Sequence, residues 1–245
     1  MPKVASTGIA ALDKALMNGL PKGYTVLMTG PPGSGTELAA KQFAGAGVRD
    51  ENVVYFTTTE RNEEVTATME DFGWKSDIEI VNIGSMYYES VLARKLQVSR
   101  YRQEGISVKD LRTEGGGKGP EQSLNFLTSL TYYVSKRKPP FRIVVDSLDF
   151  FFEYYAHADV LSALRTIKAH TQHEEGVAFL TMLSGVYDTR TQSGVEEIVD
   201  CIVELERVRQ ENEFRRFLVL RKVRNHPEKT GLYEYTITDQ GITAK

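Results

Sequence analysis

The sequence predicts an α/β protein, a three-layer sandwich on a mainly parallel sheet that antiparallel strands extend at the C-terminal end. Short apolar runs alternate with longer stretches of helical periodicity as far as residue 200, which is the pattern of βαβ units. Beyond Asp200, three apolar runs follow one another without a helix-length segment between them. Strands joined so closely pair antiparallel, so we expect hairpins to finish the sheet.

The apolar runs place the elements in chain order. Strands are predicted at Tyr24–Thr29, Val53–Thr57, Ile78–Ile83, Phe141–Asp146, Val177–Leu183, Cys201–Arg207, Phe214–Val223 and Leu232–Ile237. Helices are predicted from the glycine-rich turn to about Ala46 and over Asn62–Phe72. Cys201 is the single cysteine of the chain, so no disulfide can form within it, and its apolar neighbours predict a small core residue.

Composition limits the classes of function. The 245 residues are 41% hydrophobic and 26% charged, with a formal charge of −3, which argues against a general coat for nucleic acid or an anionic membrane. No apolar run approaches the ~18 residues that span a bilayer, and the N-terminus lacks the pattern of a signal peptide. We therefore expect a cytoplasmic protein, with residues 1–245 forming one domain.

One segment interrupts the regular alternation. About sixty residues separate the third predicted strand from the fourth, more than one crossover helix needs. Two helices are predicted there, Tyr87–Gln103 and Gln122–Lys138, around the flexible glycine-rich linker Glu114–Pro120. Between residues 86 and 120, seven basic residues outnumber four acidic ones, and three of them are Arg94, Arg100 and Arg102. The insertion, at about 85–120, is interpreted either as a solvated surface or as a docking surface for nucleic acid or a protein.

The turn after the first long strand matches the phosphate-loop pattern G-x-x-x-x-G-K-[ST] in spacing and context. Its residues are Gly30, Pro31, Pro32, Gly33, Ser34, Gly35, Thr36 and Glu37. The backbone amides of such a loop, together with the helix N-terminus behind it, form an anion cradle that needs no side chain. These eight residues are therefore the candidates for nucleotide binding.

Two positions depart from that pattern. Thr36 replaces the lysine that binds phosphate, and Glu37 replaces the hydroxyl residue that binds magnesium. Loss of a charge-assisted hydrogen bond of about 1.5–3 kcal/mol predicts weak or absent ATP binding. Three interpretations of Glu37 remain open: a direct ligand for Mg²⁺, a partner for Lys41 one helical turn away, or a complement to the helix dipole.

An ordered series of motifs resembles the KaiC-like and archaeal RadA-like ATPases of the RecA superfamily. It comprises Thr7–Ile9, Leu12–Asp13, Asn18–Gly23, the phosphate loop, Ile143–Ser147, Ser193–Asp200, Leu220–Asn225 and Tyr235–Ile242. The resemblance covers nearly the whole chain except the insertion. It implies a RecA-like fold, ATP and Mg²⁺ as cofactors, and assembly with itself or with an active relative, a hexameric ring being the form known in the family.

The resemblance also assigns roles to single residues. The family has a pair of glutamates after its second strand, of which this chain keeps Glu60 as a general base, with Thr59 in the first position. Asp146 matches the aspartate that holds magnesium. The alternatives are that Glu60 starts the following helix and that Asp146 caps the end of its strand.

Lys222 and Arg224 resemble the family's K-x-R-G finger, which reaches the triphosphate of a neighbouring subunit. Residues two apart in a strand share a face, so both side chains are expected to point the same way. Asn225 stands in the glycine position and can still adopt a left-handed conformation. The alternative role of the two cations is a solvated strand edge that discourages aggregation.

Three hypotheses of function follow. The leading one is a regulatory or signalling protein with weakened or lost ATP binding and hydrolysis, which acts in a homo- or hetero-oligomer. The second is an active ATPase in which Glu37, Asp146 and Mg²⁺ rebuild the site, with Glu60 as base. The third is an accessory protein of DNA repair or recombination, which depends on the basic insertion alone.

Overall fold

The strands form one large sheet with a small ribbon beside it. The computed structural model describes residues 3–92, 125–210 and 213–245, together with residues 95, 96, 99 and 103. The ribbon pairs β1 (Val4–Ala5) with β2 (Leu20–Pro21). The strands of the large sheet are β3 (Thr25–Gly30), β4 (Asn52–Thr57), β5 (Glu79–Asn82), β6 (Phe141–Asp146), β7 (Val177–Leu183), β8 (Cys201–Gln210), β9 (Glu213–Val223), β10 (Gly231–Thr238) and β11 (Gly241–Ala244).

The large sheet has the predicted mixed topology. Its order is β11-β10-β9-β8-β3-β7-β6-β4-β5. Pairs from β8 through β3, β7, β6 and β4 to β5 are parallel, whereas the pairs β8–β9, β9–β10 and β10–β11 are antiparallel. The C-terminal strands therefore extend a parallel sheet by hairpins, as their close spacing predicts.

Helices cover both faces of the sheet. They are α1 (Ala10–Ala15), α2 (Thr36–Gly47), α3 (Asn62–Asp71), α4 (Ile83–Tyr87), α5 (Phe126–Ser135), α6 (Asp149–Tyr154), α7 (His157–His173) and α8 (Thr189–Ile198). Apolar residues of α1, α2 and α3 pack with one buried cluster, and those of α5 to α8 pack with a second. The sheet lies between the two clusters, which confirms the three-layer prediction.

Two predicted boundaries differ near the insertion. The strand predicted over Ile78–Ile83 ends at Asn82, because the Asn82 side chain accepts a hydrogen bond from the Ser85 amide at 2.8 Å and so caps α4. The helix predicted from Tyr87 follows as one π-helical turn over Tyr88–Leu92. Most of its remaining length lies outside the described residues, as does the predicted glycine-rich linker.

The second helix predicted there is shorter than expected. It begins at Phe126 and ends at Ser135 instead of covering Gln122–Lys138. Asn125 sets its start, since its side chain accepts a hydrogen bond from the Thr128 amide at 3.0 Å. In the part of the chain that the structure describes, no helix combines the length and apolar character needed to cross a membrane.

Candidate functional site

The phosphate loop has the backbone of an anion cradle. It joins the end of β3 to the start of α2, and Gly33 and Gly35 have left-handed φ angles of 76° and 96°. Glycine is the residue that adopts such angles without strain. At Gly30 a side chain would collide with that of Ser34. The loop is fixed from the far end of the chain, because the Tyr235 hydroxyl donates to the Ser34 carbonyl at 2.6 Å.

The two altered loop positions lie at the first turn of α2. Thr36 is half-buried and Glu37 is exposed. The Thr36 hydroxyl donates to the Glu37 carboxylate at 3.3 Å, so the residue in the lysine position contacts its neighbour. An exposed acid in the first helical turn is favourable to the helix dipole but adds negative charge where a phosphate would bind.

Lys41 does not pair with the Glu37 carboxylate, which excludes that interpretation. It is buried, and its ammonium contacts Glu37 only through the main-chain carbonyl at 3.4 Å. Its ion-pair partner is Glu60, with Nζ at 3.0 Å from Oε1 and 2.8 Å from Oε2. The pair therefore joins α2 to the segment that follows β4.

Glu60 is positioned by its own turn and not by a helix. Its amide donates to the Thr57 hydroxyl at 3.2 Å, and its carbonyl accepts from the Asn82 side chain at 3.0 Å. The start of α3 belongs to the next residue, Arg61, whose amide donates to the Glu64 carboxylate at 3.0 Å. Glu60 is thus free of a capping role, and its carboxylate is occupied by Lys41.

Asp146 lies at the end of β6 with both carboxylate oxygens in use. Tyr55 on β4 donates to Oδ2 at 2.6 Å, and Thr181 on β7 donates to Oδ1 at 2.7 Å. Burial, together with the adjacent carboxylate, holds the pKa of Tyr55 well above its usual value, so Tyr55 remains a donor. The sequence analysis missed Tyr55 and Thr181, although each is a polar group within an apolar run beside the Asp146 strand.

The loop fits a phosphate group better than it fits magnesium. Mg²⁺ usually binds through one or two carboxylates together with the phosphates of its substrate. Glu37 is exposed beside Thr36, and Asp146 is already held by two hydroxyl groups. Among the described residues, no group of three His, Cys, Asp or Glu side chains could hold a metal ion. The Glu37–Asp146 metal site therefore stays a prediction.

Lys222 and Arg224 lie away from the phosphate loop of their own chain, toward the end of the sheet at which β3 begins. Arg224 forms an ion pair with the buried Asp200 at 2.8 Å, and Asp200 accepts from the amide of Thr25, the first residue of β3. The loop begins at Gly30, the other end of that strand, about 16 Å away at the usual rise per residue. Neither cation reaches its own loop, so a phosphate contact of theirs would be made in trans.

A β-bulge turns Lys222 toward α8. The register of β8 and β9 shifts between Ile202 and Val203, so that Lys222 pairs with Ile202. Its ammonium donates to the carbonyls of Glu196 and Val199 at 2.6 and 2.8 Å, at the C-terminal end of α8. Asn225 then adopts a left-handed φ of 63°, as expected for a residue in the glycine position.

The basic insertion is described only in part. Arg94, Arg100 and Arg102 lie outside the described residues. Their interpretation as a docking surface for nucleic acid or a protein remains a prediction.

Similar proteins agree with this architecture. A UPF0273 protein of Pyrococcus furiosus is 26% identical, over 99% of this chain and 94% of the relative. The circadian clock oscillator protein KaiC of Parathermosynechococcus lividus is 26% identical over 96% of this chain, but over 41% of its own length. The crystal structure of a KaiC-like protein from Pyrococcus horikoshii superposes with a TM-score of 0.69 at 21% identity, covering 100% of both chains.

The family model described as KaiC, an ATPase model, matches residues 5–245 of this chain. That span runs from the first ribbon strand through the phosphate loop to the last residue. The chain therefore belongs to the KaiC family of ATPases.

Proposed function

We propose that this chain is a regulatory member of its family that does not hydrolyse ATP by itself and acts in an assembly with its own copies or an active relative. The observation that carries the proposal is the ion pair between Lys41 and Glu60. The candidate general base accepts a hydrogen bond through Oε1 from an ammonium group whose side chain is 1% exposed, and its Oε2 lies 2.8 Å from the same group.

The ion pair opposes catalysis because a general base must accept a proton from the attacking water. Glu60 would first have to break its contacts with Lys41, leaving a buried ammonium without its counter-ion. Such a break is costly in a protein interior. The geometry therefore favours Glu60 as a structural link between α2 and β4.

The residues of the phosphate loop also argue against ATP hydrolysis, because they weaken the binding of phosphate. Lys41 does not replace the missing lysine at Thr36, since it is held by Glu60. The exposed Glu37 repels a triphosphate. Weak nucleotide binding without turnover fits both departures.

Steady-state ATP hydrolysis tests this proposal. We expect no magnesium-dependent turnover by the purified protein, and a gain in ATP affinity of about tenfold to a hundredfold in Thr36→Lys/Glu37→Thr, which restores the family pattern. Magnesium-dependent turnover by the unaltered chain that disappears in Asp146→Ala would instead establish the rebuilt ATPase. Turnover that persists in Asp146→Ala would point to a contaminant.

The assembly part of the proposal rests on the position of the finger residues. Lys222 and Arg224 lie away from their own loop, so a phosphate that they contact would belong to a neighbour. Mixing this chain with an active KaiC-family ATPase is expected to change the relative's turnover. The effect should be lost in Lys222→Ala/Arg224→Ala and kept in Arg215→Ala, a change on the same strand. An unchanged rate in every mixture would contradict the assembly.

A further inference from the structure

Two arginines face each other on neighbouring strands beside the phosphate loop. Arg207 on β8 lies directly opposite Arg216 on β9. Nη1 of Arg207 is 3.4 Å from the position that a Cβ on Gly33 would take, so its guanidinium lies over the loop. Like charges directly opposite each other on antiparallel strands are destabilising. The arrangement is therefore unfavourable unless an anion lies near both groups.

The pKa of Tyr235, whose hydroxyl contacts the same loop, is affected by both arginines. The Tyr235 hydroxyl donates to the Ser34 carbonyl of the loop at 2.6 Å. Burial raises the pKa of Tyr235 to about 12, the positive charges of Arg216 and Arg207 act in the opposite direction, and the Glu37 carboxylate adds to the rise. Both guanidinium groups thus act on a hydroxyl that touches the loop.

Neither arginine is neutralised by the protein around it. Among the residues that the structure describes, no carboxylate lies within ion-pair distance of Arg207 or Arg216. Arg207 lies over the Phe214 ring, with its Cζ 4.5 Å from the ring centroid. Nε of Arg216 is buried and has no hydrogen-bond partner within the described part of the chain. A buried guanidinium donor without an acceptor is costly, so an oxygen acceptor supplied by a ligand would stabilise Arg216.

We infer that Arg207 and Arg216, together with the backbone amides of the phosphate loop, bind the oligophosphate tail of a nucleotide. The two arginines supply from the same chain the positive charge that Thr36 cannot. A guanidinium group binds phosphate oxygens through two parallel hydrogen bonds, which suits it to this role. The inference deepens the proposed function, on which it rests, because it explains how a chain that does not hydrolyse ATP would still respond to nucleotide.

The strand itself supplies a matched control. Arg215 is adjacent to Arg216 and points to the other face, where its Nε donates to the Glu234 carboxylate at 2.9 Å. Arg215→Gln removes the same charge from the same strand as Arg216→Gln. A difference between these variants therefore reports the site and not the net charge of the protein.

The test is calorimetric titration with sodium tripolyphosphate and with ATP, without magnesium. We expect the unaltered chain to bind both, Arg207→Gln and Arg216→Gln each to lose tenfold or more, and Arg215→Gln to bind as the unaltered chain does. Arg216→Lys should keep part of the affinity, because it retains the charge without the paired donors. Tighter binding of ATP than of tripolyphosphate would identify a nucleotide, whereas equal binding would mean that the phosphates alone are recognised.

Stability separates this role from a structural one. Without ligand, the melting temperature of Arg207→Gln should change little, because the repulsion that is removed offsets the loss of the exposed contact with the Phe214 ring. If Arg216→Gln fails to fold, the Arg207 variant still decides the question. No binding of either probe by the unaltered chain, or equal losses in the Arg215 variant, would overturn the inference.

The same samples distinguish the inference from the proposed function. Turnover of ATP after magnesium is added would contradict the proposed function and leave the arginine assignment standing. Binding that does not depend on either arginine would overturn the assignment, whether or not turnover is seen.

Discussion

At the scale of single residues, Asp146 is held in place from the strands on both sides of its own strand. Its carboxylate is 8% exposed and bound by hydroxyl groups of Tyr55 and Thr181 from the strands on either side. Two hydroxyl donors satisfy both oxygens of the buried carboxylate. The arrangement keeps the carboxylate fixed and makes it a part of the fold.

Tyr55→Phe is expected to destabilise the protein by about 1.5–3 kcal/mol, the usual range for a hydrogen bond to a charged group. The change removes a donor from a buried carboxylate and leaves the ring packing intact. Urea denaturation measures the free energy of unfolding. Tyr132→Phe, on an exposed ring of α5, is the control and should have no comparable effect. Equal stability of the two variants would show that Asp146 does not depend on Tyr55.

Residue-scale chemistry was only partly predictable from the sequence. The phosphate loop was predicted from its glycine spacing after a strand, whereas the roles of Glu60 and Asp146 were predicted from the resemblance to a family. The partner of Lys41 was not, since Glu60 lies 19 residues away and meets it only when β4 and α2 pack together. The arginine pair was hidden for the same reason, because facing positions in a hairpin depend on register.

At the scale of elements, α8 is held at both ends by side chains. The Asp188 carboxylate caps the start by accepting from the Thr191 amide at 2.7 Å. Lys222 binds the carbonyls at the other end, across from β9. The positive charge at the C-terminus and the negative charge at the N-terminus both favour the helix dipole.

Asp188→Asn is expected to lower the melting temperature at pH 7, because asparagine keeps the cap but loses the charge. The hydrogen bond from the Thr191 amide lowers the pKa of Asp188 below its ordinary 3.8. A lowered pKa in the folded state stabilises above the ordinary value, and that contribution is lost as the pH falls through the folded value. The difference between the two proteins should therefore shrink below about pH 4.

The control for this prediction lies at the opposite end of a helix. Asp71 is the last residue of α3, where a negative charge opposes the dipole, so Asp71→Asn should leave the melting temperature unchanged or raise it. A fall of the same size in both variants would show that the Asp188 effect is not one of capping.

The elements themselves were largely predictable. The strands Phe141–Asp146 and Val177–Leu183 were predicted to the residue, because apolar runs bounded by polar turns leave little choice of ends. The bulge in β9 was not predictable, since an extra residue is recognised only against its partner strand. It decides that Lys222 faces α8 and not the buried cluster that Leu220 joins.

At the scale of the whole molecule, β9 carries basic residues at two separate positions. Arg216 lies beside the phosphate loop of its own chain, and Lys222 lies near the other end of the same strand. Six residues of antiparallel strand place them about 20 Å apart. In the proposed assignments, one strand would bind phosphate in its own subunit and present the finger to a neighbour, which would link ligand binding to assembly.

Cys201 makes the stability of the whole sheet measurable. The thiol lies at the start of β8, fully buried, and burial raises its pKa to about 12. Because thiolate is the reactive form, labelling by a disulfide reagent at pH 8 should be slow in the native protein and fast in urea. The native labelling rate should follow global unfolding, because β8 pairs with the central strand β3 and with β9. Rapid labelling of the native chain would mean that β8 opens without the rest of the sheet.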